Sequence, residues 1–387
     1  MDAQADADPA EVPADPLEVL HERRSSKWQT HPADVLPLTV AEMDFALAPP
    51  VARVLSRALE RSDTGYATGA GLREALAGFA HRRWGWEIDP GSVTAVPDVG
   101  MGVVEALRAL TSPGDSIVIN TPVYPPFFGW IPEVGARVVE SPLVVDGSGW
   151  HLDLAGLEEV FAQRPAVYLL CNPHNPVGRA HSPAELAEVV RLADRFGVTV
   201  VSDEIHGPLA LAGSRFTPML TVPGAAAVTI SALSASKAFN LAGLKCAMVV
   251  TASPAMAAVV DRFAVYARSR TGHLGVLATL AALHEGEGWL DRLLITLSAR
   301  REQLGSLLAE RLGMIHWHPP EATYLAWLDC RRIGEGTVPY ERFLDRGRVA
   351  LEPGPHFGSA GSGYVRLNFA TGADLLAEAI DRMARAL

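Results

Sequence analysis

The segment Ser234-Ala235-Ser236-Lys237-Ala238-Phe239-Asn240 holds one of the chain's rare lysines. Of 33 lysines and arginines, only Lys27, Lys237 and Lys245 are lysine. Arginine stays protonated and forms no imine, whereas a lysine amine can be deprotonated where its surroundings lower its pKa. Lys237 follows the apolar run Val228-Thr229-Ile230, which reads as a buried strand, so it is a candidate nucleophile and proton carrier. Three further apolar runs end in groups of chemical interest: Thr121-Pro122-Val123-Tyr124, then Cys171-Asn172-Pro173-His174-Asn175-Pro176-Val177-Gly178, then Asp203-Glu204-Ile205-His206. Taken singly, Asn-Pro and Pro-x-Gly are ordinary turn chemistry, and a strand-ending Asp is often a helix cap.

Elements that could position these groups follow from periodicity. From about 90 to 270, short β-branched runs alternate with helical patterns, the mark of a parallel α/β sheet. Strands are predicted over 116–120, 137–141, 166–170, 198–202, 228–231 and 247–250. Ser182-Pro183-Ala184-Glu185 is a capping box with proline at the first helical position, and Gly197 ends that helix. In open α/β sheets, ligands bind outside the carboxyl ends of the strands, and the four loops all start there. An imine-forming amine, a carboxylate, an amide and an aromatic face are what a pyridoxal phosphate ring needs. Asp203 would keep the ring nitrogen protonated, an amide and His206 would hydrogen-bond the phenolic oxygen, and an aromatic would stack on the ring. A phosphate needs backbone amides at a helix start. Asp98-Val99-Gly100-Met101-Gly102, opening a helix to about residue 110, supplies them, with hydroxyls from Ser234 and Ser236 and a cation from Lys245.

With those residues in place, the chain resembles the fold-type I pyridoxal-phosphate enzymes of the class I/II aminotransferase superfamily, and within them the MalY/PatB-type cystathionine β-lyases. The resemblance runs from about residue 17 to the end. It is carried by Arg23-Arg24 with Lys27-Trp28, Ala41-Glu42-Met43-Asp44-Phe45, Gly65-Tyr66, the Asn-Pro-His-Asn-Pro-x-Gly and Asp-Glu-Ile-His segments, Ser236-Lys237-Ala238-Phe239-Asn240 and Arg366-Leu367-Asn368. It implies an α/β fold with a mostly parallel central sheet, flanking helices and a smaller α+β domain. By the same resemblance Lys237 is the Schiff-base lysine, Asp203 pairs with the pyridine nitrogen, Asn175 binds the phenolic oxygen and Tyr124 stacks on the ring. Arg366 grips the substrate carboxylate, with Ala41 and Asn172 on the substrate side. Tyr66 reaches the phosphate in a neighbouring subunit, which makes a homodimer the active unit. The implied reaction is β-elimination of L-cystathionine or related S-substituted cysteines. An aminotransferase needs the same groups and stays open, as does a non-catalytic regulator on the same fold. Asp98 departs from the group, which often has glycine there, and places a carboxylate beside the expected phosphate.

Bulk properties narrow the rest. At 387 residues the chain has room for about two domains. We divide it into a flexible acidic leader (1–16), an N-terminal arm joining the small domain (17–55), a large cofactor domain (56–290) and a C-terminal small domain (291–387). A net charge of −11 with no basic stripe argues against a nucleic-acid partner. Three scattered cysteines offer neither a disulfide framework nor a CxxC metal site. The apolar stretch 241–260 contains Lys245 and Pro254, so it reads as a strand then a helix rather than a membrane span. A cytoplasmic location fits this pattern.

Overall fold

The β-branched runs assemble into one seven-stranded sheet. The computed structural model describes residues 11–387 apart from 335 and 337. Across the sheet the order is Val93–Val96, Ala247–Val250, Thr229–Leu233, Thr199–Asp203, Val167–Cys171, Ser116–Ile119 and Arg137–Glu140. The last five are mutually parallel, and Ala247–Val250 is antiparallel to both its neighbours. All six expected strands are present within two residues of their predicted limits. Val93–Val96 lies outside the sequence reading: it is only four residues long, and its central Thr94 and Ala95 are half-buried. Val167–Cys171 and Thr229–Leu233 are buried along their whole length, as expected of central strands covered on both faces.

Two helices show how local sequence fixes the sheet's surroundings. In Pro183–Phe196, Ser182 Oγ accepts the Glu185 N–H at 3.2 Å and Glu185 Oε2 accepts the Ser182 N–H at 2.8 Å. Gly197 closes the helix at φ +72°, a left-handed conformation that favours glycine. Its Leu186, Val189, Val190 and Ala193 are buried at helical spacing. Val99–Leu110 is capped by Asp98, whose Oδ1 accepts the Met101 N–H at 2.8 Å. This helix lies close on the sheet: a Cβ at Gly102 would fall 2.8 Å from Val249 Cγ2. Burying each Val or Leu of these faces contributes about 1.5–3 kcal/mol.

A second, four-stranded sheet near the C-terminus has the order His316–Trp317, Leu325–Asp329, Tyr364–Asn368, Glu352–Pro353. Helix Ala373–Arg385 turns Leu376, Ala379, Ile380 and Met383 inward at spacings of three and four. The N-terminal arm joins this part of the chain, with Leu36–Pro37 pairing in parallel with Val349–Ala350. Residues 1–10 of the expected leader lie outside the described residues. Residues 11–16 correct the expectation of flexibility. Val12 is buried and its N–H donates to Thr296 Oγ1 at 2.8 Å, and Glu11 pairs with Arg300 at 2.7 Å. Val12, Glu11 and Asp15, which pairs with Arg23 at 2.5 Å, together dock the segment.

Candidate active site

The parallel strands deliver their polar ends to one edge. Register sets Cys171 opposite Asp203 and Asp203 opposite Ala232, so the Asn172–Gly178 and Lys237 loops flank the Asp203 carboxylate. A cavity of about 410 Å³ opens there, and Lys237, Asp203, Asn175, Tyr124, His206, Ser236, Lys245, Ala41, Val99 and Gly100 line it.

Lys237 Nζ donates to the Ala41 carbonyl at 3.0 Å. Burial and the Arg366 charge lower its amine to about 8, within reach of neutrality at physiological pH. Asp203 Oδ1 accepts the Ile205 N–H at 3.1 Å. Burial pushes its carboxyl up to about 6, against the Ile205 hydrogen bond and the Lys237 charge. Its second oxygen has no donor among the described residues, which suits a cationic ring N–H. His206 is held neutral: burial, then the charges of Lys237 and Arg366, push its pKa down to about 3. Tyr124 packs edge-on against Trp130 and Phe127 at 5.8 and 6.1 Å, which fixes the plane of its ring at the cavity.

Asn175 and Arg366 meet behind that wall. Arg366 Nη1 donates to Asn175 Oδ1 at 3.0 Å, and Nη2 donates to the Thr39 carbonyl at 2.9 Å. With its oxygen engaged, Asn175 turns the amide nitrogen to donate, the polarity a phenolate oxygen requires. Arg366 is buried against the Phe357 ring and keeps Nε without an acceptor among the described residues. At the other end, Val99 and Gly100 supply the first two amides of their helix, and neither has an acceptor among the described residues. A Cβ on Gly100 would fall 2.7 Å from Trp130 Cζ2, so glycine lets the indole close this wall.

Four expected residues stand outside the cavity lining, the first being Arg366, which lies behind Asn175 with Nη1 and Nη2 both donating within the protein. Ser234 spends its hydroxyl on the backbone, donating to the Cys246 carbonyl at 2.7 Å and accepting the Ser236 N–H at 3.0 Å. Asn172 is fully buried beneath the edge, with Nδ2 on the Thr217 carbonyl at 3.0 Å. Neither lines the cavity. Tyr66 is wholly exposed, away from the cavity of its own chain. Lys245 does reach the cavity, where its ammonium pairs with Asp98 Oδ2 at 3.0 Å.

Residues 39–45 form a strap along the cavity, where Ala41 stands as the resemblance implied; the sequence reading missed what holds the strap in place. Tyr324 OH donates to the same Ala41 carbonyl that Lys237 uses, at 2.9 Å. Asn240, at φ +58°, brackets the Met43 backbone by accepting its N–H and donating to its carbonyl, both at 2.9 Å. Asn368 Nδ2 donates to the Val40 and Glu42 carbonyls. Below the strap, Lys27 and Asp44 form a fully buried ion pair at 2.7 Å, joined by Trp28 Nε1. Asn240, Tyr324 and Asn368 lie far from the strap in sequence, so only the tertiary structure brings them to it.

Known proteins resemble this chain along nearly its whole length. The chain is 46% identical to a Mycobacterium leprae protein named "Putative cystathionine beta-lyase", over 96% of both. It is 36% identical to the cystathionine beta-lyase of Corynebacterium glutamicum, over 96% of this chain and 99% of the other. A solved structure from Corynebacterium diphtheriae, described as a "putative plp-dependent beta-cystathionase", matches with a TM-score of 0.90 at 34% identity, over 97% of this chain and 98% of that one. The mixed sheet with flanking helices is the fold expected of that relationship. The family model for aminotransferases of class I and II matches residues 33–383, and the chain belongs to that family.

Proposed function

We propose that the chain is a pyridoxal-phosphate-dependent carbon–sulfur β-lyase acting on L-cystathionine or a related S-substituted L-cysteine. The observation that carries the reading is the convergence of Lys237, Asp203 and Asn175 on one cavity, with Asn175 Oδ1 spent on Arg366. Relatives at 46% and 36% identity bear the name cystathionine beta-lyase, which favours elimination over transamination.

The residues fit the cofactor. Lys237 would hold its aldehyde carbon, Asp203 its ring nitrogen, Asn175 and His206 its phenolic oxygen, Tyr124 its ring face, and the Val99 and Gly100 amides its phosphate. When bound, pyridoxal phosphate supplies a sink for the electron pair released at the substrate Cα. Lys237, its pKa drawn down to about 8, takes the Cα proton and can return it to a leaving atom. Arg366 orients the substrate carboxylate through its planar fork, and Ala41 confines the amino acid from the strap side. The Cβ–S bond breaks, the sulfur leaves as a thiol, and the remaining three-carbon fragment hydrolyses to pyruvate and ammonia.

The same proposal includes a homodimer, with Tyr66 of each chain completing the phosphate site of the other. Full exposure of an aromatic ring supports it. It also includes a cytoplasmic location and the division into 17–55 with 291–387 and 56–290, the former supported by strand pairing between arm and tail. Among the described residues no helix is long and apolar enough to cross a membrane.

Purified protein with cofactor and L-cystathionine, and no keto acid, is expected to release pyruvate and a free thiol over many turnovers. Product formed only after a keto acid is added would reject the lyase and establish an aminotransferase.

A further inference from the structure

At the end of the cavity where the cofactor reading places a phosphate dianion, the chain carries a carboxylate. Asp98 accepts the Met101 N–H at Oδ1 (2.8 Å) and the Lys245 ammonium at Oδ2 (3.0 Å). It thereby occupies one of the three leading helix amides and the cation nearest to them. Val99 and Gly100 remain for an incoming anion. A helix N-terminus favours negative charge, and here the protein's own side chain draws on that capacity.

Lys245 is launched from a fixed backbone. It adopts φ +62°, and its carbonyl accepts the Gly272 N–H at 2.9 Å. A Cβ at Gly272 would fall 2.4 Å from the Leu244 carbonyl oxygen, so the turn is tightly backed. The charged residues lining the cavity are Lys237 and Lys245 against Asp98, Asp203 and Glu133. Lys237 and Asp203 are engaged in the chemistry at the far end. The Asp98 and Lys245 side chains are 38% and 57% exposed, so water screens their mutual attraction and the ammonium changes partner at little cost.

Building on the cofactor reading, we infer that Asp98 and Lys245 form a charge-matched pair that holds phosphate affinity down: Lys245 attracts the phosphate, Asp98 repels it, and the helix amides supply most of the grip. Asp98 is then an affinity-lowering residue rather than only a cap, and Lys245 chiefly offsets it.

Cofactor-free full-length protein would be titrated with pyridoxal phosphate, pyridoxal and inorganic phosphate by calorimetry. Asp98→Asn keeps a good N-cap and is expected to tighten pyridoxal phosphate and inorganic phosphate by about three- to tenfold. Lys245→Met is expected to weaken both by about tenfold. The double variant should return to within about threefold of wild type, with pyridoxal affinity unchanged throughout. If both single variants weaken phosphate binding, or Asp98→Asn changes nothing, the pair is only structural and the inference is overturned. If wild-type protein binds pyridoxal phosphate no more tightly than pyridoxal, the cofactor reading itself falls. Equal melting temperatures of the cofactor-free variants would confirm that neither substitution acts through the fold.

Discussion

Arg366 and Asn175 share a hydrogen bond of 3.0 Å across 191 residues of sequence. The bond joins the group proposed to hold the substrate carboxylate to the group proposed to hold the cofactor's phenolic oxygen. Asn175→Ala would leave a buried guanidinium N–H without its acceptor, at about 1–3 kcal/mol. Both KM and cofactor affinity are therefore expected to worsen by about tenfold. A rise in KM alone would show that Asn175 serves only to position Arg366.

Lys237→Ala is expected to reduce turnover by about 10³-fold or more and to abolish covalent capture of pyridoxal phosphate. In the cofactor-free wild type, the rate of capture should rise as pH passes about 8, where burial and Arg366 place the amine. A rise centred near the ordinary lysine value would show that the site does not lower this pKa.

Asp203 has its carboxyl raised to about 6 in the cofactor-free protein. A carboxyl raised above its unfolded value of 3.8 favours the fold below that value and loses this contribution as pH climbs to about 6. Asp203→Asn is thus expected to stabilise cofactor-free protein at pH 7.5 by about 1–3 kcal/mol and to change little at pH 4. Denaturant melts at the two pH values check the sign. The same variant should lose catalysis, since it can no longer pair as an anion with the ring nitrogen.

The Lys27–Asp44 pair has neither side chain exposed. Removing one partner of a buried ion pair costs about 3–5 kcal/mol. Lys27→Met is expected to destabilise the protein by that order in urea unfolding and to raise KM, because the strap bearing Ala41 rests on this pair. A stable variant with unchanged KM would show the strap to be held by Asn240 and Asn368 alone.

Mixing inactive Lys237→Ala chains with inactive Tyr66→Ala chains tests the shared active site. In a heterodimer, one site regains both residues, so activity is expected to recover to about one quarter of wild type from statistical pairing. No recovery would place Tyr66 outside the partner's site.

Much of this was legible beforehand because it is local. The Ser182–Glu185 box, the Gly197 stop and the buried β-branched strands are written in runs of a few residues, and strand ends in an open α/β sheet gather at one edge. Ser234 and Asn172 were misplaced because a hydroxyl or amide in a loop can turn either to the ligand or to the backbone. The Cys246 and Thr217 carbonyls, which decide the matter, come from distant turns. The anchoring of the strap escaped for a related reason: Asn240, Tyr324 and Asn368 hold it by backbone carbonyls, and every residue type carries one.

Arg366 and Asn368, nineteen or more residues from the C-terminus, clamp Thr39, Val40 and Glu42 near the other end. The cavity wall is thus knit from two segments more than 320 residues apart. Neither the central sheet nor the Lys237 loop supplies this second wall. Enclosure of a ligand consequently depends on long-range assembly, and a variant that undocks residues 39–42 from the Tyr364–Asn368 strand would open the cavity while leaving Lys237 in place.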